Sequence, residues 1–523
     1  MQRGGSVRRF LPCAASRRDA FQRPAMPCRH AGCFPFFSMS SRYSRLRTEW
    51  CPSIPRELMA GAVATFALIP EVIAFSFVAG VDPAVGLFAS FVIGIVIAFT
   101  GGRPAMVSAA AGSVALVAAP LVHAHGLAYL LAAGLLAGAM QIVFGLLRLG
   151  VLMRFVSSSV RTGFVNALAI LIFAAQMPHF IGANAATWAM VGLGLAVIYL
   201  LPRLTTAVPS PLVCIVVVTL AGQWLGLPLK TVADLGQLPD ALPMFALPAV
   251  PLTLETLRII ALPAFAIAMV GLLESMMTAS VVDELTDTPS SKNRECGGLG
   301  LANVAASCFG GIAGCGMIGQ TVSNVRYGGR GRLSTLFAGA FLLILMVLLK
   351  PWVSQVPVAA LVAIMVMVSA STFDWGSLRT LVRHPRLSSV VMLATVAVTV
   401  ATDNLAAGVG IGVLLSGVFF TFKVARLLRV QGRQDEEGAW RFAVSGQVFF
   451  ASADMLVDAF DVREIDGAPV RIDVSQAHFW DVTAVAALRK VVERLRKHGS
   501  AVDVSGMNQA SRDLVLRLDA APE

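Results

Sequence analysis

The chain has 523 residues, 56% of them hydrophobic and only 14% charged, with a formal net charge of +11. Soluble domains carry about 25% charged residues, so the bulk of this chain is not a soluble enzyme. The excess Lys and Arg is scattered through short loops rather than gathered on one face, which argues against nucleic acid as a partner.

Residues 1–55 form a basic N-terminal region that is expected to be disordered. Its first 38 residues are Arg-rich and broken by Pro, with no apolar core for a signal peptide. Cys13, Cys28, His30 and Cys33 include a C-x-H-x-x-C spacing, but nothing completes four ligands at zinc-finger spacing, so no metal is expected. Met39 opens a short amphipathic lead-in and is an alternative start.

Apolar runs then follow one another to Leu428. Seven segments are expected at 58–78, 84–99, 108–122, 127–147, 162–181, 189–201 and 209–227. A Pro- and Leu-rich loop over 228–254 separates them from seven more at 259–282, 297–309, 318–325, 333–349, 357–371, 387–401 and 407–428. Alternate loops collect the cations: Arg56, Arg103, Arg148, Arg154, Arg161, Arg203, Lys292, Arg294, Arg326, Arg330, Arg332, Arg379, Arg383, Arg386, Lys423, Arg426 and Arg429. The loops between them hold almost none. The positive-inside rule then places both termini in the cytoplasm and requires an even number of crossings.

Two acids sit inside these segments, Glu71 in the first and Glu274 in the eighth. A charge at the bilayer centre costs roughly 2.5–3.5 kcal/mol on insertion scales, so each asks for a function. Each acid is followed by a Gly/Ala-rich stretch, GGRPAMVSAAAGS over 101–113 and GGIAGCGMIGQ over 310–320. The third and tenth segments are too short to cross about 30 Å as helices alone. Each is therefore expected to be an extended stretch followed by a half-helix, buried in protein and lining a cavity. The two half-helix N-termini would meet near the midplane and favour an anion. Gly112, Gly316 and Gly319 would let backbone approach it closely, or merely let helices pack. One acid and one glycine-rich break in each half is the pattern of a carrier built from two repeats.

These residues resemble the SulP anion transporters. IPEVIAFSFVAGVDPAVGLFASF is similar to their first two segments, GGRPAMVSAAAGSVALV to their third, GLLESMMTASVVDELT to their eighth and NVAASCFGGIAGCGMIGQTVSN to their tenth. The resemblance implies an α-helical polytopic fold of 14 segments in a 7+7 inverted repeat over residues 56–429, and a homodimer. It implies an anion site lined by Glu71 and Phe75 of segment one, Gly112 and Ser113 of segment three, Glu274 of segment eight, and Gly316, Met317, Ile318, Gly319 and Gln320 of segment ten. Many members carry an Arg in segment ten where this chain has Gly319-Gln320, so no fixed cation is expected beside the anion. Glu71 and Glu274 are the candidates for carrying a coupling proton. Glu274 with Thr278, one turn on, would instead hold sodium, as the bicarbonate members resemble this chain in segment ten.

Residues 430–437 (VQGRQDEE) read as a polar linker, and residues 438–523 as a small cytoplasmic α/β domain. Strands are expected at 440–450, 470–474 and 501–504, with helices at 452–460 and 482–497. IDVSQAHFWDVTAVAALRKV resembles the STAS domain common at the C-terminus of SulP proteins. The resemblance makes Thr483, at the start of a helix, either a regulatory phosphorylation site or an ordinary helix residue.

Neither a Walker motif, a Ser/His/Asp constellation nor a metal set appears, so no enzyme activity and no cofactor are expected. The expectation is a multi-pass inner-membrane protein, a secondary active transporter of sulfate, bicarbonate or a small carboxylate, coupled to protons or sodium. A nucleobase permease of related architecture is an alternative, although it would usually carry a second acid where Gln320 stands and would lack the STAS domain. A non-transporting membrane sensor is the other.

Overall fold

The computed structural model describes residues 49–150, 156–181, 183–204, 209–235, 244–251, 253–348, 350–383 and 386–519. Most of the basic N-terminal region, its Cys/His group and Met39 lie outside the described residues, as does Arg154.

The first apolar series forms α1 (Ile54–Val78), α2 (Pro83–Thr100), β1 (Ser108–Ala110), α3 (Gly112–His125), α4 (Leu127–Leu146), α5 (Ser158–Ala174), α6 (Ala185–Leu204) and α7 (Ser210–Trp224). The second forms α8 (Leu254–Thr286), α9 (Lys292–Cys308), β2 (Gly314–Gly316), α10 (Ile318–Arg326), α11 (Arg332–Leu348), α12 (Val358–Thr372), α13 (Arg386–Thr402) and α14 (Leu405–Ala425). Among the described residues, seven helices are long and apolar enough to cross a membrane, and five shorter apolar helices accompany them. Proline opens α1, α2 and α7, where its missing N–H leaves nothing unpaired. The expected fifth segment breaks after Ala174 and resumes as a single turn, Met177–Phe180, because Pro178 cannot continue a helix interior.

The helices sort into two groups. α1–α4 pack chiefly with α8–α11, and α5–α7 pack chiefly with α12–α14. Within the first group backbones nearly touch. A Cβ on Gly300 would lie 2.6 Å from the carbonyl oxygen of Gly138, and one on Gly94 would lie 3.1 Å from Cα of Gly339. Such small-residue crossings supply the packing that stands in for a hydrophobic drive inside lipid.

One end of this group is held by buried ion pairs. Arg103 meets Asp283 at 3.1 Å, and Arg332 meets Glu49 at 2.7 Å. The fully buried Glu57 accepts from the backbone N–H groups of Arg330 (2.7 Å), Gly331 (3.0 Å) and Ser334 (3.1 Å), satisfying the start of α11. Glu49 and the Trp50 ring, 5.0 Å from that of Phe99, dock on this group.

The C-terminal domain is a four-stranded sheet in the order β3-β4-β5-β6, from β3 (Arg429–Gln434), β4 (Trp440–Val448), β5 (Val470–Phe479) and β6 (Val502–Ser505). The β3–β4 pair is antiparallel and the other two are parallel. Helices α15 (Ala453–Asp458), α16 (Val482–Lys497) and α17 (Gln509–Asp519) complete it, and Val448, Leu456, Ile472, Val474 and Leu495 are fully buried in its core. Two expectations need correction. Much of the supposed linker is strand β3, whose polar sequence belongs to an exposed edge, with Gly432 lying over the Phe442 ring. Strand β5 runs to Phe479, past Val474, because a bulge interrupts its alternation of buried and exposed residues.

Replacing Gly300 with Val should cost about 1–3 kcal/mol through overpacking at the α4–α9 crossing. A lowered thermal midpoint of the purified protein is the expected result; an unchanged midpoint would show that the crossing yields freely.

Candidate functional site

β1 and β2 are three residues each and pair antiparallel, Ser108 with Gly316, Ala109 with Cys315 and Ala110 with Gly314. A two-stranded sheet in the middle of a helical layer leaves both outer edges without backbone partners, and in lipid each such group costs several kcal/mol. Side chains fill those edges. Ser275 of α8 accepts from Gly316 N at 2.9 Å, and Thr278 donates to Gly316 O at 2.8 Å. Asn303 of α9 serves Gly314 as a third strand would: its Oδ1 accepts from Gly314 N (2.9 Å) and its Nδ2 donates to Gly314 O (3.2 Å). Gln141 of α4 accepts from Asn303 at 2.9 Å and donates to Ala268 O at 3.2 Å. On the other edge, Ala110 N donates to Ser90 Oγ (3.2 Å) and Val107 N to Thr321 Oγ1 (3.0 Å).

The crossing fixes where α3 and α10 begin. Their N-cap residues are Ala111 and Met317, neither with a capping side chain, so the first-turn N–H groups are left to the space in front of them. That space is a cavity of about 1170 Å³ between the two helix groups. Glu71, Phe75, Gly112, Ser113 and Glu274 line it, together with Met317, Ile318, Gly319 and Gln320. Gly112 is required for packing: a Cβ there would lie 2.6 Å from the Phe75 ring. A Cβ on Gly319 would meet nothing within 4 Å, so that glycine leaves open room over the start of α10.

The two acids are held differently. Glu274 is 8% exposed, and its Oε2 accepts from both the Ser113 hydroxyl and the Cys315 thiol, the latter at 3.1 Å. One carboxyl oxygen thus joins the start of α3 to β2. Glu71 lines the cavity from α1, and Gln320 lines it from α10. No cation lines this end of the cavity among the described residues; Arg203 and Arg326 line its mouth.

Two expected site residues lie elsewhere. Gly316 is in β2, packed against Ser275 and Met106, and does not line the cavity. Thr278 is fully buried, and its hydroxyl donates to the carbonyls of Glu274 (2.9 Å) and Gly316 (2.8 Å). Thr483 is exposed in the first turn of α16, which Asp481 caps by accepting from Ala484 N at 2.8 Å.

The sulfate permease family pattern matches residues 54–191 and 183–395, and the STAS domain pattern matches residues 434–522. The chain belongs to the sulfate permease (SulP) family. That is a family of transporters, not enzymes. YbaR of Bacillus subtilis (strain 168) is 49% identical over 473 residues, covering 90% of this SulP chain and 98% of the relative. Among solved structures, the transmembrane domain of a cyanobacterial bicarbonate transporter, BicA, is 26% identical with a TM-score of 0.64, covering 68% of this chain and 98% of that one. Murine Slc26a9, an anion transporter in the inward-facing state, matches with a TM-score of 0.79 at 16% identity, covering 93% of this chain and 92% of that one, and so shares the fold. The SulP chain is accordingly a multi-pass membrane protein with a C-terminal α/β STAS domain.

Sequence reasoning missed Asn303, Gln141 and Cys315, which position the site, and Arg203 and Arg326 at its mouth. A buried Asn or Gln in an apolar helix was the available signal for the first two. Replacing Asn303 with Leu keeps the volume but leaves Gly314 N and O unpaired, at about 1–3 kcal/mol for each buried group. A fall in thermal midpoint together with slowed uptake is expected, although Asn303 does not line the cavity; wild-type values for both would refute the positioning role.

Proposed function

We propose that this chain is a secondary active transporter of a small anion, sulfate, bicarbonate or a small carboxylate, bound between the N-termini of α3 and α10. The observation that carries this reading is the meeting of two uncapped half-helix starts and two carboxyls in one cavity between two separately packed helix groups. The family pattern, and a structural relative that carries bicarbonate, support the anion class. On this reading the two series of helices are a seven-plus-seven inverted repeat. The Arg-rich ends, the N-terminus and the STAS domain face the cytoplasm. The α1–α4 and α8–α11 group carries the anion past the other in an elevator-like step, and two copies form a dimer.

Coupling follows from charge. Each helix start favours an anion by about 0.3–1 kcal/mol, up to about 2 when partly buried. Two like charges 4 Å apart repel by about 4 kcal/mol at an effective dielectric of 20. Two helix starts together supply about 0.6–2 kcal/mol, and at most about 4, which at best cancels the repulsion from one ionised carboxyl and leaves nothing for binding, so a proton or a cation is expected to accompany the anion. Protons are the favoured partner. The Thr278 hydroxyl that a sodium ion would need is fully buried and does not line the cavity.

The test is uptake of labelled sulfate, bicarbonate and fumarate into proteoliposomes under an imposed proton or sodium gradient. Uptake of one anion driven by the proton gradient is expected, and sodium-driven uptake would reassign the coupling ion. In the same assay Glu274→Gln should reduce gradient-driven uptake to background while the protein keeps its monodisperse elution. Wild-type uptake by the variant would remove Glu274 from the mechanism.

A further inference from the structure

The arginines near the helix ends divide into two kinds. Arg103 and Arg332 are buried, 8% and 2% exposed, and paired with Asp283 and Glu49. Arg203 and Arg326 are exposed, and among the described residues neither forms an ion pair with a carboxylate. Both line the cavity that holds Glu71 and Glu274, one from each helix group. Arg203 is in the last turn of α6, in one helix group, and Arg326 is in the last turn of α10, in the other.

We propose that Arg203 and Arg326 form a recruiting site for small oxyanions and carboxylates at the mouth of the cavity, distinct from the carboxyl-bearing end. Gly319, Gln320, Ser323 and Arg326 share one face of α10 and all line the cavity. Eight residues at 1.5 Å each set Arg326 about 12 Å from the start of that helix. This is close to one Debye length at 0.1 M salt. The mouth therefore draws anions without being part of the inner site, and its influence falls as salt rises. Ser210 and Ser371 line the same cavity, and the Ser371 hydroxyl is spent on its own helix, donating to Val368 O at 3.0 Å. A cation at a helix C-terminus offsets the helix dipole wherever it points. That role does not require two unpaired arginines, one from each helix group, to flank a single opening. The recruited anion's onward fate rests on the transport reading; its capture at the mouth does not.

The experiment reads the potential at the mouth without transport. Ser371→Cys is introduced into the full-length protein. Its modification rates by a sulfonate-bearing and a trimethylammonium-bearing methanethiosulfonate are each normalised to a free thiol and corrected for protein lacking the new cysteine. A preference for the anionic reagent of about tenfold at low salt is expected. It should shrink at 0.5 M salt, be lost when Arg203→Gln and Arg326→Gln are combined, and be kept by the matching Lys substitutions. Equal normalised rates, or a preference that survives both Gln substitutions, would overturn the proposal. In parallel, each Gln variant should raise the KM for labelled sulfate or bicarbonate about three- to tenfold at low salt with little change in kcat. If the preference holds but neither anion is taken up by the wild type, the transport reading fails and the mouth site stands.

Discussion

The constraint on which the rest depends is that backbone polar groups inside a membrane must find partners in the protein. This chain breaks two helices at depth, at β1 and β2, and so exposes two stretches of backbone where no water can satisfy them. The strands satisfy each other on one edge only. Ser275, Thr278, Asn303 and Gln141 complete one outer edge; Ser90 and Thr321 complete the other. These side chains ride on α2, α4, α8, α9 and α10, so the positions of those five helices are tied to the crossing. The close glycine contacts follow from the same demand, since short polar side chains reach the strands only if the helices stand close to them.

On the proposed reading, this arrangement would hold the site firm where the anion binds and leave the other group free to slide. The group bearing the crossing is stitched by hydrogen bonds and by the ion pairs of two buried arginines. Opposite the crossing, Phe164, Leu168 and Met367 offer apolar surface to the cavity. Apolar surfaces have no directional partner to lose when they slide, whereas a hydrogen-bonded interface would need to exchange each bond. On the proposed reading the chemistry belongs to one group and the track to the other.

The sequence carried the helices well because hydropathy over a span of membrane length is a strong, local signal. The two breaks were legible for the same reason, as runs too short to cross. Glu71 and Glu274 stood out because a charge in an apolar run is costly. What failed to show was of two kinds. Strand β3 is an exposed edge, and its polar residues look like a linker until Phe442 is seen lying beneath Gly432. Arg203 and Arg326 have an ordinary explanation as loop cations, and only the fold shows that they flank one opening. Thr278 stands one turn from Glu274, and only the fold shows its hydroxyl donating to two backbone carbonyls.

On the proposed reading, the hydrogen bonds of Glu274 put the binding and coupling groups in one mechanical unit. Its Oε2 is held by Ser113 from one broken segment and by Cys315 from the other. An ionised carboxylate can only accept, so it suits both donors. A protonated carboxyl must place its own O–H: on Oε1 both contacts can persist, and on Oε2 one of the two has to rotate or yield. A proton arriving at Oε2 would therefore alter the bond that joins the start of α3 to β2, in the wall of the cavity where the proposed anion would sit. A thiol is a weak donor, which makes the Cys315 contact the easier of the two to give up. Charge neutralisation and local loosening of the crossing would then occur at the same atom, and coupling would need no longer-range relay between an ion site and a substrate site.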